Sequence, residues 1–148
     1  MNFRLFAAFG AVLICGMLLG ALVYSQTVAK QVQIQNKGAI RSIGVEVYAD
    51  VGLTQIRDSI AWGTLEPGDS VSVTVYVKNT GSDVQRLVIW AESWVPSSAQ
   101  NSLTLSWDYV DSWISSGDSI PVKFTLTVDP EVEGVSGFGF VIWVQGVA

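Results

Sequence analysis

The chain predicts an all-β fold: a single antiparallel β-sandwich of about seven strands, preceded by one N-terminal apolar helix. Three observations carry this. Val71, Val73, Val75 and Val77 alternate strictly with Ser70, Ser72, Thr74, Tyr76 and Lys78, a period of two built from β-favouring residues. Similar alternating runs, separated by Gly, Pro, Asn and Asp turn formers, recur to the end of the chain. Beyond Tyr24 no helical periodicity appears.

Leu5 to Tyr24 is a run of twenty residues without a charge, after the short basic start Met1-Asn2-Phe3-Arg4. As a helix it would span about 30 Å, the thickness of a bilayer's hydrocarbon core. Residues 1–25 therefore read as either a signal peptide or a transmembrane anchor. The run is longer than the usual apolar stretch of a secretory signal. Cleavage candidates stand at Val23-Tyr24-Ser25 and Thr27-Val28-Ala29. Ile14 ahead of Cys15 does not fit a lipoprotein signal, and Arg4-Leu5 does not fit a type IV pilin-like one. The expected address is a single-pass cell-membrane protein with an extracellular domain, or a secreted protein.

Residues 26–38 read as a linker or edge strand, with Gln31 to Gln35 alternating and a break expected at Asn36-Lys37-Gly38. The sandwich is expected over 39–148. Its first strand covers Ser42 to Ala49, and a weaker one covers Ser59 to Trp62. Pro67 and Gly68 then set a tight turn ahead of the Ser70–Lys78 strand. Val84 to Trp94 carries apolar residues at both parities, which predicts a central strand covered on both faces; Trp90 and Trp94 have no face assigned. Strands at Leu103–Tyr109, Ile120–Val128 and Phe138–Gln145 complete the set. Pro121 points to an edge or a bulge. Gly68-Asp69-Ser70-Val71 recurs as Gly117-Asp118-Ser119-Ile120, and Ile89-Trp90 as Ile142-Trp143, a faint internal echo.

Composition excludes several chemistries. The chain has 148 residues, a formal net charge of −5 and no histidine. That charge argues against a nucleic-acid partner. Its one cysteine and two methionines all precede Ser25. The remainder therefore has no disulfide, no Ser-His or Cys-His pair and no soft metal ligand. No catalytic residue, cofactor or metal is expected. Asp108, Asp111 and Asp118 around Trp113, and Asp129, Glu131 and Glu133, would suit a calcium site or a small carboxylate-dependent hydrolase. Solvated turn carboxylates are the simpler reading, because no calcium-loop spacing is present. Tyr48, Tyr76 and Trp143 sit at the parity opposite each strand's main apolar set. Facing outward together, they are the candidate contact surface; as cross-strand pairs they would serve only the sheet. Trp62, Trp107 and Trp113 are expected in the core and its rim.

Leu65-Glu66-Pro67-Gly68-Asp69-Ser70, the Val-rich strand and Lys78-Asn79-Thr80-Gly81 resemble the core of Ig-like modules on prokaryotic surface proteins, including cell-adhesion-related Ig-like domains. Ile43-Gly44-Val45-Glu46-Val47-Tyr48, Trp62-Gly63-Thr64-Leu65 and Leu105-Ser106-Trp107-Asp108-Tyr109 are similar to small archaeal surface proteins of unknown role. A weaker likeness is to camelysin-type biofilm-matrix fibre proteins. The first two likenesses imply an Ig-like sandwich with a structural or adhesive, non-enzymatic role, binding a surface protein, a glycan or itself. The last implies a secreted filament subunit assembling by strand exchange through residues 31–35. Membrane contact would run through Leu5–Tyr24 if that segment is uncleaved.

Overall fold

The structure is a computed structural model and describes residues 35–148, with side chains described from Lys37 onward. The predicted N-terminal helix and the Gln31–Ile34 part of the expected arm lie outside the described residues. Eight strands are described: β1 (Gln35–Ile43), β2 (Val45–Tyr48), β3 (Ser59–Gly63), β4 (Ser70–Asn79), β5 (Arg86–Val95), β6 (Leu103–Trp107), β7 (Ser119–Val128) and β8 (Gly137–Val147). One short helix, α1 (Ala99–Ser102), precedes β6. Among the described residues no helix is long and apolar enough to cross a membrane.

The strands form two four-stranded sheets, β3-β1-β8-β5 and β2-β4-β7-β6. Their inward side chains make one core. Ile40, Ile60, Trp62, Phe140, Ile142 and Val144 come from the first sheet, and Val47, Val75, Val77, Val122, Phe124 and Leu126 from the second. Burial follows the alternation read in β4 and β7: Val75, Val77, Val122, Phe124, Leu126 and Val128 are all fully buried. Between them the outward hydroxyls pair across the strands, Ser70 with Thr127 at 3.0 Å and Ser72 with Thr125 at 2.8 Å.

The internal echo has a structural counterpart. β4 and β7 are antiparallel neighbours. Each is opened by a Gly-Asp turn whose glycine has φ near +80°, +85° at Gly68 and +80° at Gly117. Gly68 N donates to Val128 O and Val128 N donates to Asp69 O; Gly117 N donates to Asn79 O and Asn79 N donates to Asp118 O. The two turns thus close the two ends of one ladder in the same way. The strands that follow, β5 and β8, also pair, with Trp90 opposite Trp143.

Four expectations are corrected. The sheets are not wholly antiparallel, since β1 runs parallel to β8 from Gln35↔Gly137 to Ile43↔Gln145. The chain does not break at Asn36-Lys37-Gly38; β1 continues through it. Gly38 serves packing there, not a turn. An added Cβ would lie 2.9 Å from Trp62 Nε1 and 3.5 Å from the Phe140 ring. Trp62 crosses β1 at this point to stack on Phe140, with centroids 6.1 Å apart. The expected Ser42–Ala49 strand is divided by Gly44, at φ +72°, which sends the chain from one sheet into the other.

The fourth correction concerns β5, which is an edge strand rather than a central one. Its pairing with β8 slips between Glu92 and Val95, and Ser93 has φ +58°. This bulge reverses the parity within the strand. Trp90 faces outward against Trp143, whereas Trp94 turns inward onto Phe140, at 4.3 Å between centroids. Pro121 stands at a local edge, as expected: it pairs with Tyr76 of β4 on one side, and on the other β6 covers β7 only from Phe124 to Val128.

The β2–β3 connection is held by Asp50. Its carboxylate accepts from Gln55 N at 2.8 Å, from Thr54 Oγ1 at 2.8 Å and from Thr54 N at 3.0 Å. Those donors, Gln55 N first, hold its carboxyl below the usual range.

The Trp62–Gly38–Phe140 crossing generates a prediction. Gly38→Ala should lower unfolding free energy by about 1–3 kcal/mol through overpacking. Gly139→Ala, in the paired strand but 3.7 Å from its nearest neighbour, should change it by less than about 0.5 kcal/mol. Urea denaturation of both variants checks the contrast.

Candidate functional site

A β-sandwich can present a contact surface on a sheet face or at a loop end. The sheet faces separate the residues expected to act together. Tyr48 and Tyr76 are cross-strand partners in the second sheet. Tyr48 is buried at 9% exposure, and its hydroxyl donates to Glu46. That hydrogen bond, together with burial and the Glu46 charge, pushes the phenol above its ordinary range.

Trp143 belongs to the other sheet. It stacks on Trp90 with centroids 5.7 Å apart and planes 8° from parallel, and the Arg41 guanidinium lies over its ring at 5.8 Å. Its Nε1 donates to Glu92 Oε1 at 2.7 Å, and Trp90 Nε1 donates to Glu92 Oε2 at 3.3 Å. β8 lies between β1 and β5, so Arg41 and Trp90 flank Trp143 from either side. Both its faces and its one donor are engaged within the sheet. Tyr48, Tyr76 and Trp143 therefore do not form one patch.

A different surface emerges at one end of the sandwich, where the Gly44 junction, the β4–β5 connection (80–85) and the β6–β7 connection (108–118) meet. Its organiser is Asn79, the one buried polar residue among those described, at 0% exposure. Asn79 ends β4 with its side chain pointing inward, the parity set by Val75 and Val77. A buried amide must find partners for its donors and acceptor. Nδ2 donates to Asp83 O at 2.7 Å and to Ile114 O at 2.9 Å, while Oδ1 accepts from Gly81 N at 2.9 Å. The backbone of Asn79 is bonded to both Gly117 and Asp118. One side chain thus ties the two connections together.

The tie is reinforced along the 108–118 segment. Gln85 and Ile114 exchange backbone hydrogen bonds at 3.0 and 2.7 Å. Ser116 Oγ donates to Gly81 O at 2.6 Å. The Tyr109 hydroxyl accepts from Leu87 N at 2.9 Å and donates to Ser112 O at 2.7 Å. Ile114 is 1% exposed and plugs the core, leaving its neighbours to point away.

What points away is apolar: Trp113 is 60% and Val110 80% exposed. Contrary to the expectation for Trp113, it is neither core nor rim. The Arg86 guanidinium lies 5.6 Å from its ring centroid, and Arg86 is in turn 3.5 Å from Asp111. Beside the ring is a groove of about 400 Å³ lined by Trp113, Ile114, Ser115, Gly117, Asp118, Ser119 and Ile120. A well-anchored segment that directs its polar groups back at the fold and its aromatic group outward is pre-organised for contact.

The carboxylates singled out in the sequence do not converge. Asp108 Oδ1 accepts from Lys123 N at 2.8 Å, Asp111 pairs with Arg86, and Asp129 Oδ1 accepts from Glu131 N at 2.8 Å. Among the described residues no group of three or more Asp or Glu is placed to hold a metal ion. One sequence signal for the loop end was available: Trp113-Ile114 is an adjacent apolar pair in a polar loop, and only one of two such neighbours can enter the core.

Asn79→Ala should cost about 2–3 kcal/mol of stability, because it strands two carbonyls and an amide that the side chain satisfied. Asn79→Asp should cost at least as much, since a carboxylate cannot donate to Asp83 O and Ile114 O. Chemical denaturation measures both.

No protein-family model and no curated protein matches the chain.

Proposed function

We propose that this chain is a non-enzymatic, surface-exposed or secreted Ig-like β-sandwich with a structural and adhesive role, and that it makes contact through the loop end around Trp113. The observation that carries this reading is the exposure of Trp113 and Val110 on a segment fixed to β4 by Asn79. Nothing in the folding of the sandwich calls for that exposure. Ile114 already supplies the core contact, and an outward Trp is a common anchor of binding surfaces. The apolar run Leu5–Tyr24 and a Cys-free remainder support a membrane-tethered or exported location.

A second reading is a filament subunit. It draws on one observation: β1 lies parallel to β8 inside a sheet, and β3 pairs with no other strand of that sheet. Without β1, β3 loses its partner and β8 gains an open edge. The same strand supplied by a second copy would fill that place, with Gly44 as the hinge, and head-to-tail repetition would build a fibre. The exchanging element is then Gln35–Ile43, continuous with the arm expected from Gln31.

Full-length protein should lose attachment to its target cells or surfaces on combined Val110→Ser and Trp113→Ser substitution, with unfolding free energy changed by less than about 0.5 kcal/mol. Unchanged attachment removes the loop end as the contact surface. Electron microscopy of the same preparations separates the readings: fibres that disappear when 35–43 are deleted support the filament, and uniformly single particles exclude it.

A further inference from the structure

We propose that the outer edge of β6 is a self-association surface that pairs antiparallel with the β6 of a second copy of this chain. This surface is separate from the Trp113 contact and uses different residues. Asp108 N donates to Lys123 O, and Asp129 N donates to Ser102 O. Between them the register runs without a slip from Leu103↔Val128 to Trp107↔Phe124. Hydrogen-bonded and non-hydrogen-bonded pairs alternate along an antiparallel ladder. Thr104 and Ser106 therefore bond to β7, while Leu103, Leu105 and Trp107 turn their N–H and C=O groups away from it. Leu103 N is taken up by Ala99 O of α1. No described residue takes up the outward groups of Leu105 or Trp107.

The other edges are each blunted, and β6 is not. β2 has four residues and is covered by the segment after it, with Arg57 N donating to Val47 O and Ala49 N to Gln55 O. β3 sits beside a register slip at Asn36/Lys37. β5 carries Arg86 and Glu92, bulges between Glu92 and Val95, and has Leu87 N capped by the Tyr109 hydroxyl at 2.9 Å. The part of β7 that β6 leaves uncovered contains Pro121, which has no N–H to offer. β6 reads Leu-Thr-Leu-Ser-Trp, with no charge, Pro or Gly. Its sequence is also complementary to itself. Antiparallel pairing centred on Leu105 lets the two Leu105 residues exchange N–H···O bonds, and lets each Trp107 N–H reach the other copy's Leu103 C=O. Thr104 then lies opposite the second copy's Ser106, a hydroxyl pair of the kind already made by Ser72 and Thr125 at 2.8 Å. Asp108 falls opposite the second copy's Ser102, so no like charges meet. The half-buried Leu105 and Trp107 gain apolar neighbours. An edge this short buries less than a standard interface, so the pairing is weak and concentration-dependent. Because β6 runs toward the Trp113 end, its antiparallel partner places a second Trp113 end at the opposite pole, and the pair presents two contact ends.

Residue-resolved hydrogen exchange of the full-length chain at about 10 μM and about 1 mM, a range that brackets a weak self-contact, tests this. At the higher concentration the amides of Leu105 and Trp107 should gain about tenfold protection or more. Those of Thr104 and Ser106, bonded to β7, should not change. Combined Thr104→Lys and Ser106→Lys should abolish the gain, and so should combined Thr104→Glu and Ser106→Glu, because each sets like charges opposite one another. Both positions are exposed, and circular dichroism should show the fold retained. Mixing the Lys variant with the Glu variant should restore the gain, since position 104 of one copy meets position 106 of the other. No concentration-dependent gain at Leu105 and Trp107 overturns the proposal, as does a gain that persists in both charged variants or fails to return on mixing. A gain at Ile89 and Ala91 instead moves the contact to β5 and overturns it. A gain that depends on an added peptide of residues 26–35, and not on concentration, gives the edge to that arm and overturns it too. Combined Val110→Ser and Trp113→Ser should leave the gain unchanged, so the two surfaces fail separately.

Discussion

Asn79 occupies a position that the pattern of its strand reserves for a hydrophobic side chain. In the echoing strand the corresponding residue, at the end of β7, is Val128, which is equally buried. The two ends of the β4–β7 ladder are closed by matching Gly-Asp turns, yet one is plugged by a valine and the other by an amide. A buried amide with its hydrogen bonds made is tolerated; one without them is costly. The loops that meet Asn79 are therefore bound to hold particular carbonyls and an amide in place. The definition of the 80–85 and 108–118 segments follows from that requirement, and with it the direction in which Trp113 points.

The other constraint is the crossing of Trp62 over Gly38. It places a bulky aromatic from β3 across β1 and onto Phe140 of β8, so three neighbouring strands share one contact. Slipping β1 by two residues would put Ile40 or Asn36 where only a glycine leaves room. The crossing therefore sets the register of a parallel pair that has no connecting helix to set it. At the other end of β1, Gly44 hands the chain to the second sheet.

Where a strand keeps one parity throughout, its burial was legible in the residues, as β4, β7 and β8 demonstrate. It was illegible where a local device changes the rule. The bulge at Glu92–Val95 reverses parity inside β5, so apolar residues at both parities imitate a central strand. Gly38 has the composition of a turn but the role of a clearance. Gly44 interrupts an alternation that continues unbroken in letters on both sides. The parallel pairing of β1 with β8 joins residues about a hundred positions apart and leaves no local trace. The candidate surface failed for a related reason. Outward parity identifies Tyr76 and Trp143, but not which sheet each belongs to, nor that Arg41, Trp90 and Glu92 engage Trp143. Asn79 reads in sequence as an ordinary turn former, and its burial depends on loops brought in from Asp83 and Ile114.

These features describe a sandwich that encloses some aromatic residues and holds one out. Native-state hydrogen exchange of the full-length chain distinguishes a Trp113 that is held in place from one that is merely exposed. A clamp built on Asn79 predicts that the amides of Gln85, Ile114 and Gly117 are protected to the level of the core amides of β4 and β7, opening only with global unfolding. Exchange of those three amides at loop-like rates, while β4 and β7 stay protected, would contradict it.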